Sequence, residues 1–293
     1  DYRLKLTGSF DNIDLYNGKL KAGFYQQFVK NCLQLNNGNG TFSEIADYSG
    51  ISATDWSWGA LMFDADNDGL NDILVCNGVN RDVTNLDLLD FFANDLMQTM
   101  VLNRKKEGIE KILAKIPRTP LSNKFFRNLG NLEFKDAAGE WGLAEPTFAN
   151  GAAYGDLDND GDLDLIINNE NEPVSVFRNN ARELNHNHFI GISLKGKDKN
   201  TFAIGSRVQI FLTDSNLNRE IIPSRGFQSS VDYKLIIGTG HANKIDSVRI
   251  VWPDRSVSTI LNPVIDQTLV ISEAATPSKQ PAILAIIRKP PVY

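Results

Sequence analysis

One nine-residue pattern occurs twice, as Asp64-Ala65-Asp66-Asn67-Asp68-Gly69-Leu70-Asn71-Asp72 and as Asp156-Leu157-Asp158-Asn159-Asp160-Gly161-Asp162-Leu163-Asp164. Both copies place Asp at positions 1, 3, 5 and 9 and Gly at position 6. Apolar runs border each copy, at residues 60–63 and 73–76 around the first and at residues 152–154 and 165–167 around the second. Short apolar runs on either side of a Gly-bearing turn predict a β-hairpin with the acidic pattern as its turn.

The acidic pattern has the ligand spacing of a calcium loop. Alternate residues of a tight loop can direct their carboxylates to one centre, and calcium takes about six to eight oxygen ligands. Gly at position 6 permits the sharp turn, and position 7 offers its backbone carbonyl. The predicted ligands are Asp64, Asp66, Asp68, Leu70 and Asp72 in the first loop and Asp156, Asp158, Asp160, Asp162 and Asp164 in the second. A solvated acidic turn is the alternative.

The loops differ from those of an EF-hand at the last ligand position. An EF-hand loop ends with a bidentate Glu at position 12. Position 12 is Val75 in the first loop and Ile167 in the second, and both are apolar. We therefore expect two calcium ions in β-hairpin turns and none in a helix-loop-helix.

The loops belong to a longer internal repeat. Asp64 and Asp156 are 92 residues apart, as are Phe42 and Phe134. One unit comprises about 45 residues of short strands, which is the size of a β-propeller blade. A third copy begins at residues 176–180 and is not completed. These features predict a partial β-propeller over residues 1–183.

A segment between the two copies has a different period. At about residues 83–117, Leu86, Leu89, Leu96 and Met100 can share one helical face. The spacing predicts a helical insert, either packed on the blades or serving to dock a partner.

Composition restricts the classes of function. The formal net charge is −6, but nine acids lie in the two loops, which leaves 27 acids and 30 bases elsewhere. Lys and Arg form no stripe and do not alternate with aromatic residues, which argues against a nucleic-acid partner. No apolar run approaches the roughly 18 residues that a membrane span requires. The chain has neither an initiating Met nor a signal peptide, so we expect it to be a segment of a longer protein.

Two pairs of residues allow alternative interpretations. Cys32 and Cys76, the two cysteines, are either buried free thiols or, in an oxidising compartment, a disulfide. His186 and His188 form either a polar linker or part of a metal site.

Two tryptophans are also ambiguous. Trp56 and Trp58 alternate on one predicted strand and therefore share a face. They are either a core pair or a platform for stacking a sugar.

The second half has the spacing of an antiparallel β-domain. Predicted strands follow one another closely, at residues 189–194, 207–212, 220–222, 235–237, 247–252, 257–261 and 268–271. This spacing predicts a β-sandwich or a related fold over residues 184–273. Residues 274–293 are predicted to be a linker or the start of a further segment.

Motifs in both halves resemble known families. The Asp loops and their flanks resemble the FG-GAP/VCBS-type repeats of integrin-α-like β-propellers. The second half is similar to the ASPIC/UnbV domain, on four motifs: Ala203-Ile204-Gly205-Ser206-Arg207-Val208, Arg225-Gly226-Phe227-Gln228-Ser229-Ser230, Ile237-Gly238-Thr239-Gly240 and Val251-Trp252-Pro253-Asp254. Together the halves resemble the cartilage-acidic-protein-1-like family, in particular long surface proteins of Bacteroidetes. Two positions depart from the usual pattern of that domain: Thr239 replaces the middle Leu of Gly-Leu-Gly, and Arg255 replaces the Gly after Trp-Pro-Asp.

The resemblance implies a calcium-stabilised extracellular protein, often encoded near outer-membrane glycan-uptake systems. Because two and a fraction blades cannot close a propeller, we expect further blades upstream of Asp1. We expect a non-enzymatic binding or scaffold module, secreted or lipid-anchored at the outer-membrane surface. Its implied partners are a glycan or a protein at the cell surface, including an outer-membrane uptake system. The alternatives are a glycan-active lyase or hydrolase and an integrin-like role in which calcium bridges a ligand. No residue is assigned to catalysis, and no catalytic motif occurs.

Overall fold

The computed structural model describes residues 13–25, 30–82, 116 and 118–273. The described part is mainly β, with short helices α1 (Ile13–Lys21) and α2 (Ala181–Asn185). Most of the predicted helical insert at residues 83–117 and the predicted linker at residues 274–293 lie outside these ranges.

The first half forms two blade-like antiparallel sheets and two short strand pairs. Its strands are β1 (Gln34–Asn36), β2 (Phe42–Glu44), β3 (Ser57–Phe63), β4 (Asp72–Asn77), β5 (Leu121–Ser122), β6 (Lys124–Asn128), β7 (Phe134–Asp136), β8 (Pro146–Thr147), β9 (Ala149–Gly155), β10 (Asp164–Asn169) and β11 (Ser175–Phe177). Blade 1 has the order β3-β4-β6-β7, and blade 2 has the order β9-β10-β11. The strand pairs are β1-β2 and β5-β8.

The sequence repeat and the sheets are out of phase. A shift of 92 residues superimposes the bounds of β2, β3 and β4 on those of β7, β9 and β10. However, β6 and β7 belong to the second copy and complete the sheet of the first. In the same way, β11 begins the third copy of the sequence and pairs with β10. Each blade therefore takes its outer strand or strands from the copy that follows.

The Asp loops are the turns of the two central hairpins, as predicted. Phe63 pairs with Asp72 where β3 meets β4, and Gly155 pairs with Asp164 where β9 meets β10. Alternate side chains of β3 are buried, whereas all six residues of β4 are buried. This difference arises because β4 lies between β3 and β6, whereas β3 is an edge strand of its sheet.

Aromatic side chains pack against one another between the blades. Phe63 stacks on Tyr154 with ring centroids 4.6 Å apart and meets Phe125 edge-on at 5.7 Å. Trp141 packs on Phe125 at 4.8 Å. These contacts join side chains of both blades in one core.

The second half is built from two facing sheets. Its strands are β12 (His188–Lys195), β13 (Arg207–Phe211), β14 (Asn216–Glu220), β15 (Leu235–Gly240), β16 (Ser247–Val251), β17 (Val257–Leu261) and β18 (Thr268–Ser272). The orders are β15-β12-β18 and β14-β13-β16-β17. Side chains from both sheets, including Ile190, Ile210 and Trp252, form one buried cluster.

Two details of the second half differ from the sequence prediction. The strand expected at residues 220–222 lies earlier, at β14, where it forms a hairpin with β13. The domain is also not wholly antiparallel, because β18 pairs with β12 in parallel. The chain crosses from β17 in one sheet to β18 at the edge of the other. After this crossing, β18 runs in the same direction as β12 and not in the opposite one.

A loop of the second half lies on both blades. Phe227 rests against Gly59 of β3 and against Gly151 of β9, which are equivalent positions of the repeat. Side chains at these glycines would collide with it, since the Cβ of each would lie about 3 Å from Phe227 atoms. Trp58 packs beside Phe227 with ring centroids 5.5 Å apart.

The cysteines and tryptophans differ in part from their expected burial. Cys76 is a buried free thiol whose pKa is raised to about 12 by burial, but Cys32 is free and exposed. Trp58 is 42% exposed and Trp56 is half-buried, so the two are not a core pair.

Ile210 provides a test of the core of the second half, because its side chain is fully buried between the two sheets. We expect Ile210→Ala to lower the free energy of unfolding by about 2–5 kcal/mol, through lost burial and a residual cavity. Val270→Ala is the control, since Val270 is 60% exposed, and its effect should stay within about 0.5 kcal/mol. Denaturant unfolding measures both, and equal losses would contradict this packing.

Candidate metal centres

The first Asp loop gathers three buried carboxylates. Oxygens of Asp64, Asp66 and Asp72 lie within 4.8 Å of one another, and none of these residues is more than 2% exposed. Asp68 stands outside this group, and its Oδ1 accepts a hydrogen bond of 2.8 Å from the Leu70 amide. The structure thus brings together three of the four predicted carboxylate ligands.

Backbone amides satisfy only part of this carboxylate cluster. Asp72 accepts hydrogen bonds from the Ala65 amide at 3.0 Å and from the Asn128 amide at 2.8 Å. Asp64 Oδ2 accepts one from the Gly69 amide at 3.0 Å, but Asp64 Oδ1 is buried and has no hydrogen-bond partner. A buried carboxylate oxygen without a partner has a high desolvation cost, and a cation bound beside this atom would offset that cost.

Burial also makes the first loop expensive to ionise. It raises the pKa of Asp64 to about 8 and that of Asp72 to about 7, and neighbouring loop carboxylates raise both further. The Arg219 guanidinium opposes the shift at Asp64 from 3.9 Å away. A bound cation would stabilise the ionised forms that this environment disfavours.

The second loop gathers a different set of three carboxylates in a more open setting, at positions 1, 3 and 5 of the pattern instead of positions 1, 3 and 9. Asp156, Asp158 and Asp160 form its compact group, and the side chain of Asp158 is 39% exposed. Asp164 has the role of Asp72, because it accepts hydrogen bonds from the Leu157 amide at 2.9 Å and the Asn179 amide at 2.8 Å.

Asp162 differs from the other carboxylates of the second loop. Its Oδ1 accepts a hydrogen bond of 2.8 Å from Asn67 Nδ2, and its Oδ2 accepts one of 3.0 Å from the Arg182 amide. Burial raises the pKa of Asp162 to about 6. Both carboxylate oxygens are therefore used structurally, which leaves the backbone carbonyl as the group that the sequence assigned to a metal.

Basic side chains that sequence reasoning did not identify contact both loops. Arg127 Nη2 lies 2.6 Å from Asp66 Oδ2, and Arg178 Nε lies 2.8 Å from Asp158 Oδ2. A Phe-Arg-Asn motif at residues 126–128 and 177–179 carried this signal in the sequence. From the second half, Lys234 Nζ lies 2.9 Å from Asp156 Oδ2, and no local pattern pointed to it.

The two loops contact each other directly. Asn67 Nδ2 donates to the Gly161 carbonyl at 3.0 Å as well as to Asp162. Asn67 has φ of +58°, a conformation that Asn adopts more readily than most residues. The side chain between the ligand positions therefore joins one loop to the other.

The second half packs on the backbone of the first loop. The Gly240 amide donates a hydrogen bond of 2.9 Å to the Asn67 carbonyl. A Cβ at Gly238 would overlap the backbone of Asn67, so this close approach requires glycine. The first loop consequently lies among the second loop, β15 and its own blade.

The histidine pair makes no comparable cluster. His188 Nδ1 lies 2.7 Å from Asp266 Oδ2, and His186 follows α2 with φ of +55°. Within the described ranges, the groups of three or more potential metal ligands are the two in the Asp loops. The described geometry thus favours a linker position for His186 over a metal site, whereas His188 begins β12.

The donor set suits a hard divalent cation. All the converging side-chain atoms are carboxylate oxygens, and calcium prefers such ligands in flexible geometries. The unpartnered Asp64 Oδ1 and the raised pKa values agree with this chemistry. The residues present therefore fit calcium, with more complete burial at the first loop.

Blade-like sheets with acidic hairpin turns, followed by a two-sheet domain, define a propeller-repeat protein with an appended β-domain. Comparison with protein families specifies both parts. Residues 24–75 match the model of an FG-GAP-like repeat, and residues 196–278 match the ASPIC and UnbV model. The chain therefore contains an FG-GAP-like repeat and an ASPIC/UnbV domain. No curated protein matches the chain.

These two domains suggest an extracellular binding or scaffold module, and FG-GAP repeats suggest protein or ligand interactions. Among the described helices, none has the length and apolar character that crossing a membrane demands.

Gly238 tests the packing of the second half on the first loop. Gly238→Ala should destabilise the protein by about 1–3 kcal/mol, because the added methyl group meets backbone that cannot rotate away. Gly139→Ala is the control, since nothing lies within 4 Å of a Cβ there. Thermal or denaturant unfolding compares the two variants, and equal stability would show that β15 does not pack on the loop.

Proposed function

We propose that the chain is a calcium-binding, non-enzymatic binding or scaffold module that acts outside the cell. The observation that carries the calcium assignment is the buried, unpartnered Asp64 Oδ1 within a group of three carboxylates. The extracellular setting supports it, because calcium there can fill even sites with dissociation constants of about 10⁻⁴–10⁻³ M.

Calcium would serve the architecture at both loops. In the first, Asp64, Asp66 and Asp72 would hold it, joined by Asp68 and the Leu70 carbonyl. In the second, the carboxylates of Asp156, Asp158, Asp160 and Asp164 and the carbonyl of Asp162 would hold it. The ion would supply positive charge that offsets repulsion among these groups. The loops contact each other, and the first loop contacts β15. An ion that orders the loops would therefore also stabilise the packing between the two halves of the chain.

The family resemblance leads to a more specific setting. We assign the chain to the cartilage-acidic-protein-1-like group as found in Bacteroidetes, at the outer-membrane surface or secreted. Its partner would be a glycan or a protein, including an outer-membrane uptake system. The support is the order of the domains, with the FG-GAP-like repeat before the ASPIC/UnbV domain.

A glycan-active lyase or hydrolase remains the alternative function. A glycosidase needs two carboxyl groups about 5–10 Å apart on either side of a sugar. Glu140 pairs with Lys135 at 2.6 Å, and the loop carboxylates are engaged by amides and basic side chains. Release of product from a polysaccharide by the purified chain would favour this alternative over a binding module.

Calcium should raise the melting temperature of the EDTA-treated protein. At a free calcium concentration of about 100 times Kd, one site contributes about 2.7 kcal/mol. Asp64→Asn and Asp156→Asn should each remove much of the rise, because each loses a carboxylate ligand. Asp198→Asn is the matched control on an exposed turn and should retain the full rise. A melting curve that calcium leaves unchanged would overturn the calcium assignment.

Lys234 should compete with calcium at the second loop, because its Nζ lies 2.9 Å from Asp156 Oδ2. We expect Lys234→Met to destabilise the metal-free protein more than the calcium-loaded protein, and so to enlarge the calcium-induced rise in melting temperature. Lys244→Met is the control, since the Lys244 side chain is 70% exposed and lies near Asp246. A smaller rise in Lys234→Met would mean that the lysine assists calcium binding.

A further inference from the structure

A cavity of about 330 Å³ opens between the two blades. Its floor is apolar and aromatic, formed by Phe63, Phe125, Leu165, Phe177 and Trp141. Small-molecule sites usually begin at about 300 Å³, so this space admits one ring-sized unit. The cavity adjoins the first loop, because Asp66 is the one loop carboxylate among its lining residues.

Two guanidinium groups stand at the wall of this cavity. Arg127 and Arg178 occupy equivalent positions of the repeated Phe-Arg-Asn motif, and both line the cavity. Arg127 Nε is buried and makes no hydrogen bond, although Arg127 Nη2 approaches Asp66. A buried N–H donor without a partner is a place for an acceptor, and a carboxylate is the strongest ordinary acceptor for Arg.

The acids near the cavity are already compensated. Glu140 lines it but pairs with Lys135 at 2.6 Å. Asp66 faces Arg127 and is one of the carboxylates assigned to the metal. Calcium at the first loop would also bind Asp66. Because Asp66 would then neutralise less of the Arg127 charge, Arg127 would attract an anion more strongly.

Amide side chains complete the rim. Asn180 precedes α2 and Asn185 is its last residue, and both are exposed and line the cavity. The Asn180 side chain forms no capping hydrogen bond with the helix. Amides can both donate to and accept from hydroxyl groups, and an aromatic floor suits the apolar face of a sugar ring.

We propose that this cavity binds a sugar ring that bears a carboxylate, such as a uronic acid unit of an acidic glycan. The ring lies over the aromatic floor, the carboxylate accepts from Arg127 Nε, and the rim amides contact ring hydroxyls. The assignment rests on the proposed binding function and specifies its ligand. An aromatic acid would satisfy the floor and Arg127 but would leave the rim amides without hydroxyl partners.

Titration calorimetry of the calcium-loaded chain with glucuronate, glucose and benzoate tests the proposal. Glucuronate should bind, and glucose should bind at least about tenfold more weakly, since a charge-assisted hydrogen bond exceeds the 1.4 kcal/mol that corresponds to a factor of ten. Arg127→Gln should weaken glucuronate by a similar factor. Arg207→Gln, with a side chain 70% exposed outside the cavity, is the control.

Because Arg127 contacts Asp66 of the first loop, Arg127→Gln could also weaken calcium binding. A second variant, away from that loop, separates the two effects. Asn185→Asp places a negative charge at the exposed rim and should weaken glucuronate binding without changing the calcium-induced rise in melting temperature. Equal affinity for glucuronate and glucose would overturn carboxylate recognition, and benzoate binding as tightly as glucuronate would overturn the sugar assignment. If calcium stabilises the chain but glucuronate does not bind, the cavity proposal fails while the calcium module stands.

Discussion

The first Asp loop holds three carboxylates within 4.8 Å of one another, almost wholly removed from water. Their mutual repulsion and their desolvation must be compensated by the surrounding structure. Neither backbone amides nor the neighbouring arginines fully compensate them, since Asp64 Oδ1 remains without a partner. Several neighbouring elements contribute to this compensation. The strands β6 and β15 and the Asn187 side chain direct hydrogen-bond donors to the first loop or its backbone, and the second loop accepts hydrogen bonds from Asn67. Whatever compensates this charge therefore influences the packing of both halves.

Local pattern predicted the hairpins well, because they depend on short-range features. Gly at position 6 and apolar flanks specify a turn between two strands whichever domain surrounds them. The same reasoning found most strands of the second half from their spacing. It also found the repeat, since a shift of 92 residues carries β3 and β4 onto β9 and β10.

Long-range relations lay beyond such patterns. Lys234 and Arg219 reach the loops from the second half, and nothing next to them in sequence marks an acidic partner. The parallel pairing of β18 with β12 likewise depends on which sheet edge is open once the other strands have paired. Of the site, therefore, sequence could indicate the carboxylates, but not Lys234 and Arg219 beside them or the contact between Asn67 and the second loop.

The phase difference between repeat and sheet has a consequence for how such chains can be cut and rearranged. Each blade is completed by strands encoded in the following copy, so neighbouring copies of the sequence contribute strands to one sheet. A boundary drawn at the start of a sequence copy would sever a sheet between β4 and β6. Recombination that keeps whole blades must instead break the chain between β7 and β9, inside a copy. The natural module of this architecture is thus displaced from the one that reading the sequence alone defines.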